Sequence, residues 1–335
     1  MIAHAGSLPL IKLIRCAEWW EIKLIPACAI FLATALRHGV PAATLFVPFV
    51  ELIASLATGA AFVSLLNDWT DRDDDARAGK PNRFAKSPAL GVICLALSVA
   101  LGVIWLWWFS ARPWVACAFA AGWIVYAAYS LRPLRFKARG LPGLACDAVG
   151  AHLVPAMMAV GLATPNADQL TSPWTAAIAV WSLAFGLRGI IAHQRADAAR
   201  DRASGIATYV VSRGGFHAQW RVRHLIFPAE VAALLIILFL LGSQLVLLEL
   251  SVALLFQLTK VARFHLVPVL TSPMERAEPV LAGFYLVFLP LALLLEIVLR
   301  EPHLLWLPAA WLLLFPLSLA VAVRDLVRLP FEVLK

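Results

Sequence analysis

The apolar run 43–66 ends in Asn67-Asp68-Trp69-Thr70-Asp71-Arg72-Asp73-Asp74-Asp75. A helix needs about 20 apolar residues to cross a bilayer core of about 30 Å, and this run supplies them. The charge-dense end marks where such a helix leaves lipid for water. At about 100° per residue, Asp68, Asp71 and Asp75 fall on one helical face, each within about 60° of the first. Like charges at that spacing repel, so the face destabilises its own helix until a cation neutralises it.

The rest of the 335-residue chain has the same apolar character, with 62% hydrophobic residues, 14% charged and a mean hydropathy of +0.83. Soluble domains average about 25% charged, so this composition argues against a soluble globule, and it excludes a disordered chain, collagen and a nucleic-acid-binding arm. Apolar runs near 18–37, 43–66, 89–110, 112–130, 142–162, 174–193, 225–242, 244–262, 279–299 and 303–323 are candidate spans. The stretch 225–262 also reads as one span plus a re-entrant piece, so nine or ten spans are expected. With the N-terminus inside, 24 of the 28 Lys and Arg fall on the inner side, three (Arg37, Arg112 and Arg300) outside, and Arg188 within a span. That asymmetry follows the positive-inside rule and accounts for most of the net charge of +8. No small-residue cleavage site follows the first run, which reads as a retained span. Five scattered cysteines suggest neither a disulfide framework nor a zinc site.

The expected fold is all-α: one domain over 1–335, a bundle of nine or ten transmembrane helices around a central cavity open to the cytoplasm. The chemistry should lie on the inner side, where the loops are long and charged. A second acidic end, Asp197-Ala198-Ala199-Arg200-Asp201, closes the sixth span with another i, i+4 carboxylate pair. Two such faces at one membrane depth make a cage of hard oxygen ligands suited to magnesium, which keeps waters and bridges to substrate phosphates. Lys80 and Arg83 follow the first cluster, and Arg135, Lys137 and Arg139 crowd the loop after the fourth span. Such cations can neutralise a diphosphate, Arg by a bidentate fork and Lys as a point charge. Solvated carboxylates balanced by neighbouring Arg would explain either cluster alone; both at matching depth favour a site. Arg188, inside an apolar span, should face the polar cavity, near Asp147 or a substrate carboxylate. Trp69 and Tyr126 are the aromatic candidates for the cavity, although interfacial anchoring explains Trp69 equally well. His193 and His152 could act as bases, but packing or hydrogen bonding is the commoner role for a lone His.

These stretches together resemble the UbiA superfamily of intramembrane prenyltransferases. Asn67-Asp68-x-x-Asp71-x-x-x-Asp75 has the form of its first Asp-rich motif, and His193-Gln194-x-x-Asp197-x-x-x-Asp201-x-x-x-Gly205-x-x-Thr208 resembles its second. Tyr126-x-x-Tyr129-Ser130-x-x-Pro133-x-Arg135-x-Lys137-x-Arg139-Gly140 resembles the stretch after its fourth span. Arg15 to Lys23, with Glu18-Trp19-Trp20, resembles its approach to the first span. Two features depart from the pattern. Lys80-Pro81-Asn82-Arg83-Phe84 replaces an Arg-Thr-x-x-Arg-Pro segment, and Gly205 stands where some members carry a third Asp.

The resemblance implies magnesium-dependent transfer of a prenyl group from an isoprenoid diphosphate to a small or lipophilic acceptor, in the inner or plasma membrane, with the site facing the cytoplasm. Asp68, Asp71, Asp75, Asp197 and Asp201 would hold two Mg2+ ions, with Asn67 as a further oxygen ligand. Lys23, Lys80, Arg83, Arg135 and Lys137 would meet the diphosphate. A terpene cyclase of the same superfamily would need the same metal cage. A transporter would carry its charges near the midplane at broken helices, and a phosphatidyltransferase would gather them in one compact motif, whereas Asp68 and Asp197 lie 129 residues apart.

Overall fold

A computed structural model of the chain describes residues 14–77, 79, 81–164, 170–203, 205–271 and 276–329. Nearly all of it is helix. The helices are α1 (Cys16–His38), α2 (Phe46–Arg77), α3 (Pro88–Trp108), α4 (Pro113–Ser130), α5 (Leu141–Ala148), α6 (Val154–Ala163), α7 (Pro173–Ala203), α8 (Tyr209–Arg213), α9 (Gly215–Arg221), α10 (Phe227–Leu241), α11 (Gln244–Arg263), α12 (Leu289–Arg300), α13 (Trp306–Leu314) and α14 (Pro316–Arg328). Pro88, Pro113 and Pro316 each open a helix, where a missing N–H costs no hydrogen bond. π turns at Val149–Leu153, Val222–Ile226 and Phe284–Phe288 join α5 to α6, α9 to α10 and the 280s to α12.

Among the described residues, eight helices are long and apolar enough to cross a membrane, and nine if one sharply bent pair is included. They match the first eight expected spans. The stretch 225–262 is not a re-entrant piece. Gly242, at φ 67°, takes the left-handed conformation that ends α10, and α11 starts afresh behind a Ser243 cap. The ninth expected span is shorter than read, because its helical part begins at Phe284. The tenth is corrected outright: α13 and α14 meet at 89° on either side of Phe315. Pro316 cannot continue α13, since its ring removes a donor and crowds the preceding turn.

Burial sorts the bundle into an inside and an outside. In the span of α1, 78% of the most apolar window is buried, against 11% in α11, so α1 belongs to the interior and α11 to the lipid-facing rim. α7 packs chiefly against α10, and α1 against α6. Two short parallel pairings tie the loops together. β1 (Arg139–Gly140) pairs with β2 (Ala207–Thr208), and β3 (Val267–Val269) pairs with β4 (Ala277–Pro279). The first pairing joins the basic loop after α4 to the segment that follows Asp201.

Candidate functional site

The site begins at the end of α2. Asp68 is 3% exposed, and Arg15 donates to its Oδ1 at 2.8 Å while Arg83 holds its other oxygen. Asn82 donates one amide to the Asp68 carbonyl and to Asp75 Oδ2, both at 2.8 Å. Asp71 turns toward the loop after α4, taking Arg135 at 3.0 Å and Lys137 at 2.5 Å. The three carboxylates expected on one face therefore fan out: Asp68 and Asp75 meet the 82–83 segment, and Asp71 meets the basic loop. Asp68 and Asp71 have each acquired cations and Asp75 an amide donor, which is why the helix tolerates them.

Arg15 and Arg135 both hold left-handed backbones, at φ 51° and 39°. A non-glycine residue there costs about 1–3 kcal/mol and persists where its surroundings over-determine it. Lys137, just outside the span, is mostly enclosed. Burial lowers its pKa from the ordinary lysine value, and the Asp71 carboxylate opposes that shift.

The second acidic stretch lies at the end of α7. Asp197 sits 3.2 Å from Arg200 and 3.5 Å from His193. Gln194 turns inward and accepts from the Val210 N–H at 3.2 Å, fixing the start of α8. Gly140, at φ 59°, takes a backbone that favours glycine and brings β1 beside β2. The loop that grips Asp71 is thereby joined to the segment after Asp201.

Beneath this rim lies a cavity of about 950 Å³ between α1, α2, α4, α5, α6 and α7, lined also by Val269, Leu270, Thr271, Pro279, Ala282 and Leu286. Asn67 and His193, from the two acidic stretches, both line it, with Tyr126, Tyr129, Asp147, His152, Arg188 and Lys23. Ser130 donates to Asn67 Oδ1 at 2.5 Å and fixes that amide. Tyr126 lines the cavity, packed on Gly150 of the π turn, where an added Cβ would stand 2.7 Å from its ring. π turns commonly mark functional sites, and this one also turns His152 toward Lys23 Nζ at 3.0 Å.

Several expectations change. Trp69 leaves the cavity: it packs on α3 at Gly91, with the Arg72 guanidinium 4.5 Å above its ring. Arg188 does line the cavity, but its partner is Glu230 rather than Asp147. Lys23 meets His152 rather than the acidic clusters. Lys80 lies outside the described residues. Asp74, which binds Arg135 and Arg77, and Asp147, on the cavity wall, were missed as site residues. A third consecutive Asp was the available signal for the former, and an acidic residue inside a span for the latter.

Among the described residues, no three His, Cys, Asp or Glu side chains stand together as a ready ligand set for a metal ion. The donors fit magnesium nonetheless. They are all carboxylate and amide oxygens, and this ion is usually held by one or two carboxylates, waters and substrate phosphates rather than by an all-protein cage. The expected ligands are Asp68, Asp71 and Asp75 at the end of α2 and Asp197 and Asp201 at the end of α7.

Residues 24–268 match the UbiA prenyltransferase family. Two solved structures share the architecture. A UbiA homolog from Archaeoglobus fulgidus bound to GPP and Mg2+ is 17% identical with a TM-score of 0.54, over 86% of this chain and 96% of that one. The same homolog bound to DMAPP and Mg2+ is 17% identical with a TM-score of 0.50, over 95% and 99%. No curated protein matches. Identity this low speaks for the fold alone, whereas the family match extends over most of the chain. This multi-pass membrane protein belongs to the UbiA prenyltransferase family.

Proposed function

We propose that the protein is a magnesium-dependent prenyltransferase, moving a prenyl group from an isoprenoid diphosphate to a small aromatic or lipophilic acceptor within the bilayer. One observation carries the reading. Asn67 and His193, each beside one of the two acidic stretches, line a single cavity, and the β1–β2 pairing joins the basic loop that holds Asp71 to the segment after Asp201. The archaeal homolog with the same fold binds GPP or DMAPP with Mg2+, in line with this reading. The positive-inside distribution of Lys and Arg favours a cytoplasm-facing rim in the cell membrane.

Asp68, Asp71, Asp75, Asp197 and Asp201 would hold two magnesium ions, with Asn67 as a further oxygen. Magnesium, when bound, adds positive charge against the diphosphate oxygens. Arg83, Arg135 and Lys137 already stand beside the carboxylates, and Lys80 follows in the same segment. As diphosphate arrives, these cations exchange carboxylate partners for phosphate oxygens and stabilise the charge that develops on the leaving group. The carbon–oxygen bond breaks, the diphosphate keeps the electron pair, and an allylic cation remains in the cavity. Tyr126 presents a ring there, and an aromatic face is worth about 0.5–2 kcal/mol to a cation from which water is excluded. The acceptor's nucleophilic atom then bonds to the cation and loses its proton to a base or to water.

Purified protein would be incubated with labelled geranyl, farnesyl and geranylgeranyl diphosphates, with Mg2+, with and without an acceptor panel. Acceptor-dependent diphosphate release with a prenylated product by mass spectrometry is the expected result. Cyclic hydrocarbons formed without acceptor would replace transfer by cyclisation, and no diphosphate release under any condition would end the proposal.

A further inference from the structure

Taking the inner face as proposed above, we infer that the α9 end of the α9–α10 helix is a binding surface for an anionic phospholipid headgroup, with Arg213, Arg221 and Arg223 as its cations and Phe216 and Trp220 as its seat. Between Asp201 and Glu230 the chain carries four Arg and no acidic residue. Arg221 Nε donates to His217 Nε2 at 3.1 Å, and among the described residues no ion pair takes up Arg213, Arg221 or Arg223. Around the cavity the cations are engaged internally: Arg15 and Arg83 with Asp68, Arg135 and Lys137 with Asp71. The positive charge at 213–223 has no such partner and faces outward, with all three arginines exposed.

The helix itself sets the level at which that charge stands. From Gly215 to Leu241 it runs for 27 residues, about 40 Å at about 1.5 Å per residue. The hydrocarbon core takes up about 30 Å of that length, so about seven residues, the length of α9, stand in the headgroup layer. Phe216 is 86% exposed and Trp220 47%, an aromatic pair one turn apart among the arginines. Tryptophan suits that layer, because its ring is apolar and its one N–H can stay wet. Leu225, Ile236 and Phe239 are exposed as well. Once the extra residue of the π turn is counted, Phe216, Trp220, Leu225, Ile236 and Phe239 keep to one face of the helix. A headgroup at the arginines therefore has an apolar track for its acyl chains directly above it. The anionic lipids of an inner leaflet are drawn to arginines at this level.

Dioleoyl phosphatidylglycerol and dioleoyl phosphatidylcholine are offered in equal amounts to the full-length protein in detergent micelles, and the retained lipid is read by native mass spectrometry. Phosphatidylglycerol should be retained about tenfold over phosphatidylcholine. Arg213→Gln/Arg221→Gln/Arg223→Gln should bring that ratio to within about twofold of parity. Arg263→Gln/Arg276→Gln/Arg328→Gln removes as much charge from exposed arginines on other elements of the same side, and should keep the preference. Phe216→Ala/Trp220→Ala should reduce both lipids and leave their ratio, since the two share the glycerol and acyl parts that the rings would touch. Should a variant fail to fold, the wild-type ratio decides. Equal retention of the two lipids by the wild type would overturn the proposed surface. So would an equal fall in both triple variants, by showing that net charge alone attracts the lipid. Neither result bears on prenyl transfer at the cavity.

Discussion

Arg188 and Glu230 face each other across α7 and α10 as a bidentate pair, with Nε and Nη2 each 2.7 Å from a separate carboxylate oxygen. Glu230 is fully buried and also accepts from the Tyr285 hydroxyl at 3.0 Å, while Phe185 and Phe227 each lie 5.6 Å from the guanidinium carbon. A fork of this kind satisfies the charge locally and bolts the two helices together. Removing one partner leaves the other charge buried and alone, which costs about 3–5 kcal/mol. Glu230→Ala and Arg188→Ala should each lower the midpoint of thermal unfolding in detergent. The Arg188→Leu/Glu230→Leu double variant should recover most of the loss, because neither charge remains. Single variants as stable as the parent would show that the pair does not form.

Gly102 and Gly189 are both helical, and substitution should move stability in opposite directions. A Cβ at Gly102 would stand 2.4 and 2.5 Å from two carbons of Trp123, so Gly102→Ala must push the indole off Phe62. Overpacking of this sort costs about 1–3 kcal/mol. Nothing lies within 4 Å of a Cβ at Gly189, so Gly189→Ala should gain about 0.5–1 kcal/mol from the stiffer helix. Thermal unfolding of the two variants side by side checks both signs at once.

The first eight spans and the acidic helix ends were legible because each rests on local properties: run length, charge placement and a 100° step. The residues that failed are those whose partners lie far away in sequence. Trp69 sits within the first acidic stretch, yet its position on the helix points it at α3 rather than at the cavity. Arg188 had to be paired, but only the packing of α7 on α10 selects Glu230, 42 residues on, over Asp147. The break at Phe315 was hidden because hydropathy over 303–323 is continuous and says nothing of direction. Its angle is held from outside: Trp20 Nε1 donates to the Leu314 carbonyl at 2.7 Å, and Glu21 accepts from the Leu317 and Ser318 N–H groups at 2.6 Å.

Asp68 and Asp201 should respond differently to truncation, although the proposed mechanism uses both. Asp68 is buried and anchors two guanidiniums, so Asp68→Ala strands Arg15 and Arg83 along with the lost oxygen ligands. It should lose turnover and also unfold at lower temperature. Asp201→Asn keeps the side chain's volume and one carbonyl acceptor. It should lower turnover about a hundredfold or more while leaving the unfolding midpoint close to that of the parent. Wild-type turnover in Asp201→Asn would remove this residue from the metal site.

Chelation should stop catalysis without unfolding the protein. A structural metal supplies folding free energy outright, because its ligands repel one another without it. Here the proposed ligands already have partners within the chain: Asp68 has Arg15 and Arg83, Asp71 has Arg135 and Lys137, Asp75 has the Asn82 amide, and Asp197 has Arg200, while Arg135 and Arg77 neutralise the neighbouring Asp74. The rim is thus charge-compensated before any ion binds. A metal that displaces those cations gains less than it would at a bare acidic cage, and its firm retention requires the diphosphate as well. EDTA should therefore abolish prenyl transfer, reversibly with Mg2+, while the unfolding midpoint stays within about 2 °C of the untreated protein. Adding Mg2+ alone should shift that midpoint little, and Mg2+ with a prenyl diphosphate should raise it clearly, by mass action on the folded state. Collapse of the midpoint on chelation alone would mean that the Arg and Lys partners do not neutralise the rim.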